Sequence, residues 1–167
     1  MAQITLKGNP INTCGELPAV GSKAPDFSLT KSDLSDVSLK DFAGKKKILN
    51  IVPSLDTPVC QTSMRQFNEK AAAAGDNVII TVSRDLPFAM KRFCETEGID
   101  KVIAAAEMRN RDFGSAYGVE ITDGALAGVL ARAVVVIDES DKVTYAELVP
   151  EIAQEPNYDA AIAAVSG

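Results

Sequence analysis

Three mostly apolar runs stand out in the pattern of hydrophobic and polar positions along this chain, at residues 45–52, which open with three lysines, and at residues 77–83 and 131–138. Each is too continuously apolar for a strand with one solvated face, so each predicts a strand buried on both faces of a sheet. A further run at residues 142–149 follows across a short polar turn and predicts a hairpin partner for the third strand. Shorter strand candidates lie at residues 27–30, 37–44 and 102–106.

Helical spacing accounts for the apolar residues that follow the first long run. Cys60, Met64 and Phe67 share one face, which predicts a helix over residues 58–74 that ends at Gly75. Strand, helix and strand in this order predict a right-handed parallel crossover.

Three more helices complete the predicted order of elements. The first has Asp85 as its N-cap and Gly98 at its end, and the others cover residues 109–117 and 157–165. Helices alternating with strands and finished by an antiparallel hairpin predict an α/β fold, a thioredoxin-like sandwich whose mixed central sheet is flanked by helices. Alternation on either side of Gly8 and Asn9 predicts a turn at these two residues and adds an N-terminal β-hairpin extension. A length of 167 residues, 46% of them hydrophobic, predicts a single domain over residues 1–167.

Composition and charge narrow the possible functions. A net charge of -6 without a basic block argues against nucleic acid as a partner. The chain has no apolar run long enough to span a bilayer and no secretory signal at its start, so we expect a cytoplasmic protein without a membrane partner. The absence of histidine excludes Cys-His and Ser-His-Asp catalysis and His-ligated zinc or haem. An activated nucleophile in this chain must therefore be tuned by backbone dipoles, hydroxyl groups, arginine or lysine.

The turn after the first long strand carries the candidate nucleophile. Thr57, Pro58 and Cys60 fit the N-cap, first and third positions of the following helix. There the unpaired N–H groups and the positive end of the helix dipole favour a thiolate, so Cys60 is predicted to be reactive. The alternative is that Cys60 is a small buried apolar residue, as free cysteines often are.

The two other cysteines and one arginine are the remaining residues whose chemistry bears on this turn. Cys94 lies in the last turn of its helix beside Glu95, where a thiolate is disfavoured, yet it could condense with an oxidised Cys60; the alternative is simple burial. Cys14 has no obvious charge partner and is interpreted as a bystander. Arg132 opens an apolar strand, and we expect it either to pair with an acidic residue or lie at a sheet edge, or to point its guanidinium at the Cys60 sulfur.

The residues around this turn resemble a known family. Pro53, Thr57 and Cys60 match the Pro-x-x-x-Thr/Ser-x-x-Cys motif of the peroxiredoxins, and the likeness covers almost the whole chain. The segments at residues 39–45, 113–119 and 131–138 are similar to those of the bacterial thiol peroxidase subfamily, which is of the atypical two-cysteine type.

This resemblance implies a role for each matching residue. Cys60 would be the peroxidatic cysteine and Cys94 the resolving cysteine of an intrachain disulfide. Thr57 would hydrogen-bond the thiolate and the peroxide, Pro53 would shield the sulfur, and Arg132 would stabilise the thiolate and polarise the peroxide. The family further implies hydrogen peroxide and organic hydroperoxides as substrates, thioredoxin as reductant, and a homodimer. Attack of a thiolate on a peroxide oxygen needs no metal, so we expect no cofactor.

Two other functions are compatible with these residues. A dithiol exchanger is disfavoured because the turn carries one cysteine and no CxxC pair, while a redox sensor that oxidises once could use the same two thiols. A disulfide needs Cα atoms within about 7 Å. Because Cys60 and Cys94 are predicted on separate helices, we expect at least one of the two segments to unwind in each cycle.

Overall fold

The computed structural model describes residues 1–166 and contains nine strands. In chain order they are β1 (Gln3–Leu6), β2 (Asn9–Asn12), β3 (Leu29–Lys31), β4 (Asp36–Val37), β5 (Lys47–Ile51), β6 (Val78–Ser83), β7 (Ile103–Ala106), β8 (Ala133–Ile137) and β9 (Val143–Leu148). β1 and β2 form a separate hairpin, and the others form one sheet in the order β4-β3-β7-β6-β5-β8-β9. β6 is parallel to β5 and β7, and the remaining pairs are antiparallel. The central sheet is therefore mixed.

Four α-helices cover the two faces of this sheet: α1 (Pro58–Lys70), α2 (Pro87–Glu97), α3 (Asp112–Ala116) and α4 (Tyr158–Ser166). Successive residues of β5 point to opposite faces, so Ile48 and Leu49 belong to two different apolar clusters. Met64 of α1, Met90 of α2 and Ala161 of α4 pack in the cluster that contains Ile48. Phe113 of α3 and the N-terminal hairpin pack in the other. The predicted α/β sandwich with a hairpin extension is confirmed; that residues 1–167 form one domain stays a prediction.

The N-terminal hairpin is an integral part of one core. Its two-residue turn is formed by Lys7 and Gly8, both with positive φ (51° and 81°), which matches the right-handed twist of the strands. The sequence placed this turn one residue later. Ile4 and Ile11 are buried under the sheet, so the hairpin contributes apolar contacts as well as backbone hydrogen bonds.

Two predicted helices are longer than the observed ones, and one predicted N-cap differs. The helix predicted over residues 58–74 is α-helical only to Lys70 and continues as a 3₁₀ turn, Ala71–Ala74. The helix predicted over residues 109–117 is reduced to the five residues of α3. The predicted N-cap of α2 was wrong, because Leu86 occupies that position and the carboxylate of Asp85 bonds elsewhere.

Candidate active site

A closed turn joins β5 to α1. The N–H of Val52 donates to the Val82 carbonyl (3.0 Å), which extends the pairing of β5 and β6 to the edge of the turn. Pro53 is buried at this edge. The Ser54 carbonyl then accepts two hydrogen bonds from Thr57, one from its N–H (3.1 Å) and one from its hydroxyl (2.9 Å). The backbone is thereby fixed just ahead of the helix.

Thr57 and Pro58 start α1 as the sequence predicts. Thr57 is the N-cap residue with extended backbone angles (φ −108°, ψ 146°), and Pro58 is the first helical residue. The Thr57 side chain makes no cap bond to the helix, however, and its hydroxyl donates to the Ser54 carbonyl instead. Its oxygen retains lone pairs that can accept a hydrogen bond. Cys60 follows in the first helical turn and is fully buried.

The register of the sheet brings Arg132 to Cys60. β5 and β8 are antiparallel, with Ile51 opposite Ala133, so the end of β5 and the start of β8 lie at the same edge of the sheet. Nη2 of Arg132 lies 3.3 Å from Sγ of Cys60. Of the alternatives left open for this arginine, the geometry matches the guanidinium that points at the sulfur.

Arg132 is held by the chain that follows β9. Its Nε donates to the Ile152 carbonyl (2.8 Å), and the N–H of Ile152 donates to Thr5 of the hairpin (2.9 Å). Arg132 is 1% exposed, and its Nη1 is buried without a hydrogen-bond partner in residues 1–166. An unpaired buried donor is costly. Beside the sulfur, the site therefore contains a donor that a bound oxygen atom can satisfy.

Cys94 lies in the last turn of α2, where its carbonyl accepts from the N–H of Gly98 and of Ile99. Its side chain is half-buried against the core that contains Cys60, and both thiols are free. Burial, followed by the charge of Glu95, raises the pKa of the Cys94 thiol. The predicted disfavoured thiolate at this position is thus supported by its surroundings.

This raised pKa predicts how Cys94 reacts with iodoacetamide. We expect slow alkylation at neutral pH and a rate that rises only at higher pH than for an unperturbed thiol, because the thiolate is the reacting form. Glu95→Gln removes one cause of the shift and should move the rate profile to lower pH. Peptide mass spectrometry measures the profile, with Glu69→Gln on α1 as the control. An unchanged profile in Glu95→Gln would contradict the contribution of that charge.

Cys14 is exposed and lies apart from this arrangement. It follows β2, its N–H donates to the Glu120 carbonyl (2.8 Å), and its sulfur lies 3.4 Å from the Gly114 carbonyl oxygen. No charged side chain is among these contacts. Its interpretation as a bystander stays a prediction.

Comparison with known proteins agrees with this geometry. The chain matches the redoxin family over residues 19–162. The thiol peroxidase of Mycobacterium tuberculosis (strain H37Rv) is 61% identical over 165 residues, which are 99% of both chains. This chain belongs to the redoxin family. The predicted resemblance to the thiol peroxidase subfamily of the peroxiredoxins is confirmed.

Solved structures of redoxin-type proteins have the same fold. A peroxiredoxin-like protein from Aquifex aeolicus superposes with a TM-score of 0.93 at 44% identity, over 99% of this chain and 96% of that one. Reduced Prx3 from Vibrio vulnificus in complex with hydrogen peroxide gives a TM-score of 0.77 at 25% identity, over 89% of this chain and 99% of that one.

A buried polar network next to the turn between β5 and α1 was not predicted from the sequence. Asn50 of β5 is buried, and its amide donates to the hydroxyls of Ser63 (3.4 Å) and Thr81 (3.1 Å). Ser63 in turn donates to the Cys60 carbonyl (3.0 Å). Asn50 interrupts an otherwise apolar run, and this interruption is the signal that could have revealed the network.

The described residues contain neither a candidate metal site nor a candidate membrane-spanning helix. Residues 1–166 contain no cluster of three or more cysteine, aspartate or glutamate side chains placed to hold a metal ion. The helices in the same range are too short or too polar for any of them to cross a membrane.

Proposed function

We propose that this chain is a thiol-dependent peroxidase that reduces hydrogen peroxide and organic hydroperoxides through Cys60. The observation that carries the proposal is the guanidinium of Arg132, placed 3.3 Å from the buried Cys60 sulfur. A permanent cation at this distance stabilises the thiolate, which is the nucleophilic form of cysteine. The M. tuberculosis relative is named a thiol peroxidase, and the Vibrio structure contains hydrogen peroxide; both support this substrate class.

In the first step, the Cys60 thiolate attacks the terminal oxygen of the hydroperoxide, which is the oxygen that carries the hydrogen. An S–O bond forms, the O–O bond breaks, and water or an alcohol leaves after taking up a proton. Nη1 of Arg132, buried and unpaired in the described structure, would donate to the oxygen on which charge develops. The Thr57 oxygen would accept from the peroxide O–H, or the Thr57 hydroxyl would rotate away from Ser54 and donate to the sulfur.

Exclusion of water from this step falls to Pro53. It is buried at the end of β5 and carries no N–H of its own, so it would cover the approach to the sulfur without adding a competing donor. We assign Pro53 this shielding role.

In the second step, the Cys94 thiol condenses with the Cys60 sulfenic acid, which gives a disulfide and releases water. A dithiol protein of the thioredoxin type would then reduce the disulfide and itself become oxidised. We propose that the enzyme acts as a homodimer in the cytoplasm, without a cofactor.

Mass spectrometry after one equivalent of hydrogen peroxide tests this assignment. We expect a sulfenic acid on Cys60 first and a Cys60–Cys94 disulfide afterwards, with Cys14 still reduced. In the presence of a thioredoxin-type dithiol and its reductase, peroxide should be consumed repeatedly. A single oxidation without turnover would identify a redox sensor instead, and a bridge containing Cys14 would overturn the roles given to the cysteines.

A further inference from the structure

Asp85 joins the turn ahead of Cys60 to the segment that leads into α2. Its Oδ1 accepts a hydrogen bond from the Ser54 hydroxyl (2.7 Å), and its Oδ2 accepts from the N–H of Leu55 (2.7 Å). Oδ2 also accepts from the hydroxyl of Ser83, at the end of β6 (2.7 Å). One carboxylate therefore connects the turn between β5 and α1 to the end of β6.

These bonds belong to a strong class of hydrogen bond. Donation to an ionised carboxylate is shorter and roughly twice as strong as a neutral hydrogen bond. The Asp85 carboxylate does not cap α2, because the N-cap residue is Leu86 and the helix has no side-chain cap bond. Its acceptor capacity is directed to the Cys60 turn and to Ser83.

In the described fold Cys60 and Cys94 lie on separate helices and contact residues at different strands. Sγ of Cys60 contacts Arg132, just ahead of β8, whereas Cys94 lines a surface cavity with Ile103 of β7. β6 and β5 separate β7 from β8, which at the usual strand spacing puts β7 and β8 about 14 Å apart. A disulfide needs Cα atoms within about 7 Å. These separate contacts are consistent with the expectation that one of the two segments moves before the disulfide forms.

We propose that Asp85 is a positioning residue that latches the Cys60 turn in its peroxide-reactive conformation and must release it before Cys60 reaches Cys94. The inference rests on the proposed peroxidase cycle and adds a control point to it. With Ser54 and Leu55 bound, Cys60 stays beside Arg132. With them released, the first turn of α1 is free to unwind toward α2.

The latch makes opposite predictions for the two steps. Loss of Asp85 should slow oxidation of Cys60, because the sulfur spends less time beside Arg132. The same loss should speed disulfide formation, because the turn opens more often. A residue with only a general stabilising role would, when removed, slow both steps together.

The test compares Asp85→Ala with the wild-type protein in rapid-quench mass spectrometry, which suits a chain without tryptophan. Formation of the sulfenic acid is timed in a Cys94→Ser background, and formation of the disulfide in the otherwise unaltered protein. We expect oxidation to be slower and disulfide formation faster, each by about tenfold, because the variant loses all three hydrogen bonds to the Asp85 carboxylate.

Two further variants make the comparison specific. In Asp85→Asn the amide oxygen can still accept from Leu55 and the amide N–H can donate to Ser54, so both rates should lie between those of Asp85→Ala and wild type. Asp123→Ala is the matched control, since it removes another carboxylate, one that accepts two bonds from Asn12 (both 2.8 Å). It should leave both rates unchanged.

The outcomes separate the latch from the peroxidase itself. A wild-type protein that forms no sulfenic acid on Cys60 would refute the proposed function. A wild-type protein that turns over, with rates that fall together or do not change in Asp85→Ala, would overturn the latch alone. If Asp85→Ala does not fold, Ser54→Ala removes a single bond of the latch and should shift the two rates in the same opposite directions by a smaller factor.

Discussion

Replacing Cys60 with serine should abolish catalysed peroxide consumption. A serine hydroxyl fits the same buried position but is not ionised near neutral pH and is a far weaker nucleophile toward a peroxide oxygen. Cys94 is a poor replacement, because burial and the charge of Glu95 raise the pKa of its thiol and so disfavour the thiolate that attacks a peroxide. The expected rate is therefore that of peroxide and reductant without enzyme, measured with a thioredoxin-type dithiol in excess.

The matched control for this experiment is Cys14→Ser. Cys14 is exposed and its sulfur contacts only the Gly114 carbonyl among the described hydrogen-bond partners, so its loss should leave the rate unchanged. Turnover that persists in Cys60→Ser would refute the proposed function. Turnover lost in Cys14→Ser would place that thiol in the catalytic cycle.

The sequence was most informative where a single local property decides the structure. The buried strands β5, β6 and β8 were predicted because apolar runs of this length are typical of strands buried on both faces of a sheet. The position of Cys60 was predicted because a threonine and a proline in sequence define the start of a helix. Both predictions depend only on neighbours in the chain.

The interactions that the sequence missed are decided by distant partners. Asp85 ahead of Pro87 satisfies the pattern of an N-cap, yet its carboxylate bonds Ser54 across the fold. Thr57 is likewise at the cap position while its hydroxyl serves the turn. For Asp85 a tertiary partner outcompetes the local one, and the strand order that brings it to Ser54 cannot be predicted from any local pattern. For Thr57 the competing partner is the turn itself.

Replacing Arg132 with methionine should slow the oxidation of Cys60 by about 10²–10³-fold, the range found when a donor to a developing oxyanion is removed. The variant loses both the cation beside the sulfur and the free Nη1 donor. Methionine fills a similar buried volume, and the main structural loss is one hydrogen bond to the Ile152 carbonyl. Thermal unfolding followed by circular dichroism should therefore still show a cooperative transition.

Arg132→Lys and Arg109→Met complete this prediction. Lysine keeps the positive charge but lacks the planar fork that reaches Ile152 and Cys60 at once, so its oxidation rate should lie between those of Arg132→Met and wild type. Arg109 pairs with Asp36 at the far edge of the sheet, and its loss should not change the rate. The rates are measured in the Cys94→Ser background by mass spectrometry. An Arg132→Met protein that folds and oxidises at the wild-type rate would mean that the helix terminus alone activates the sulfur, and the guanidinium would lose its assigned role.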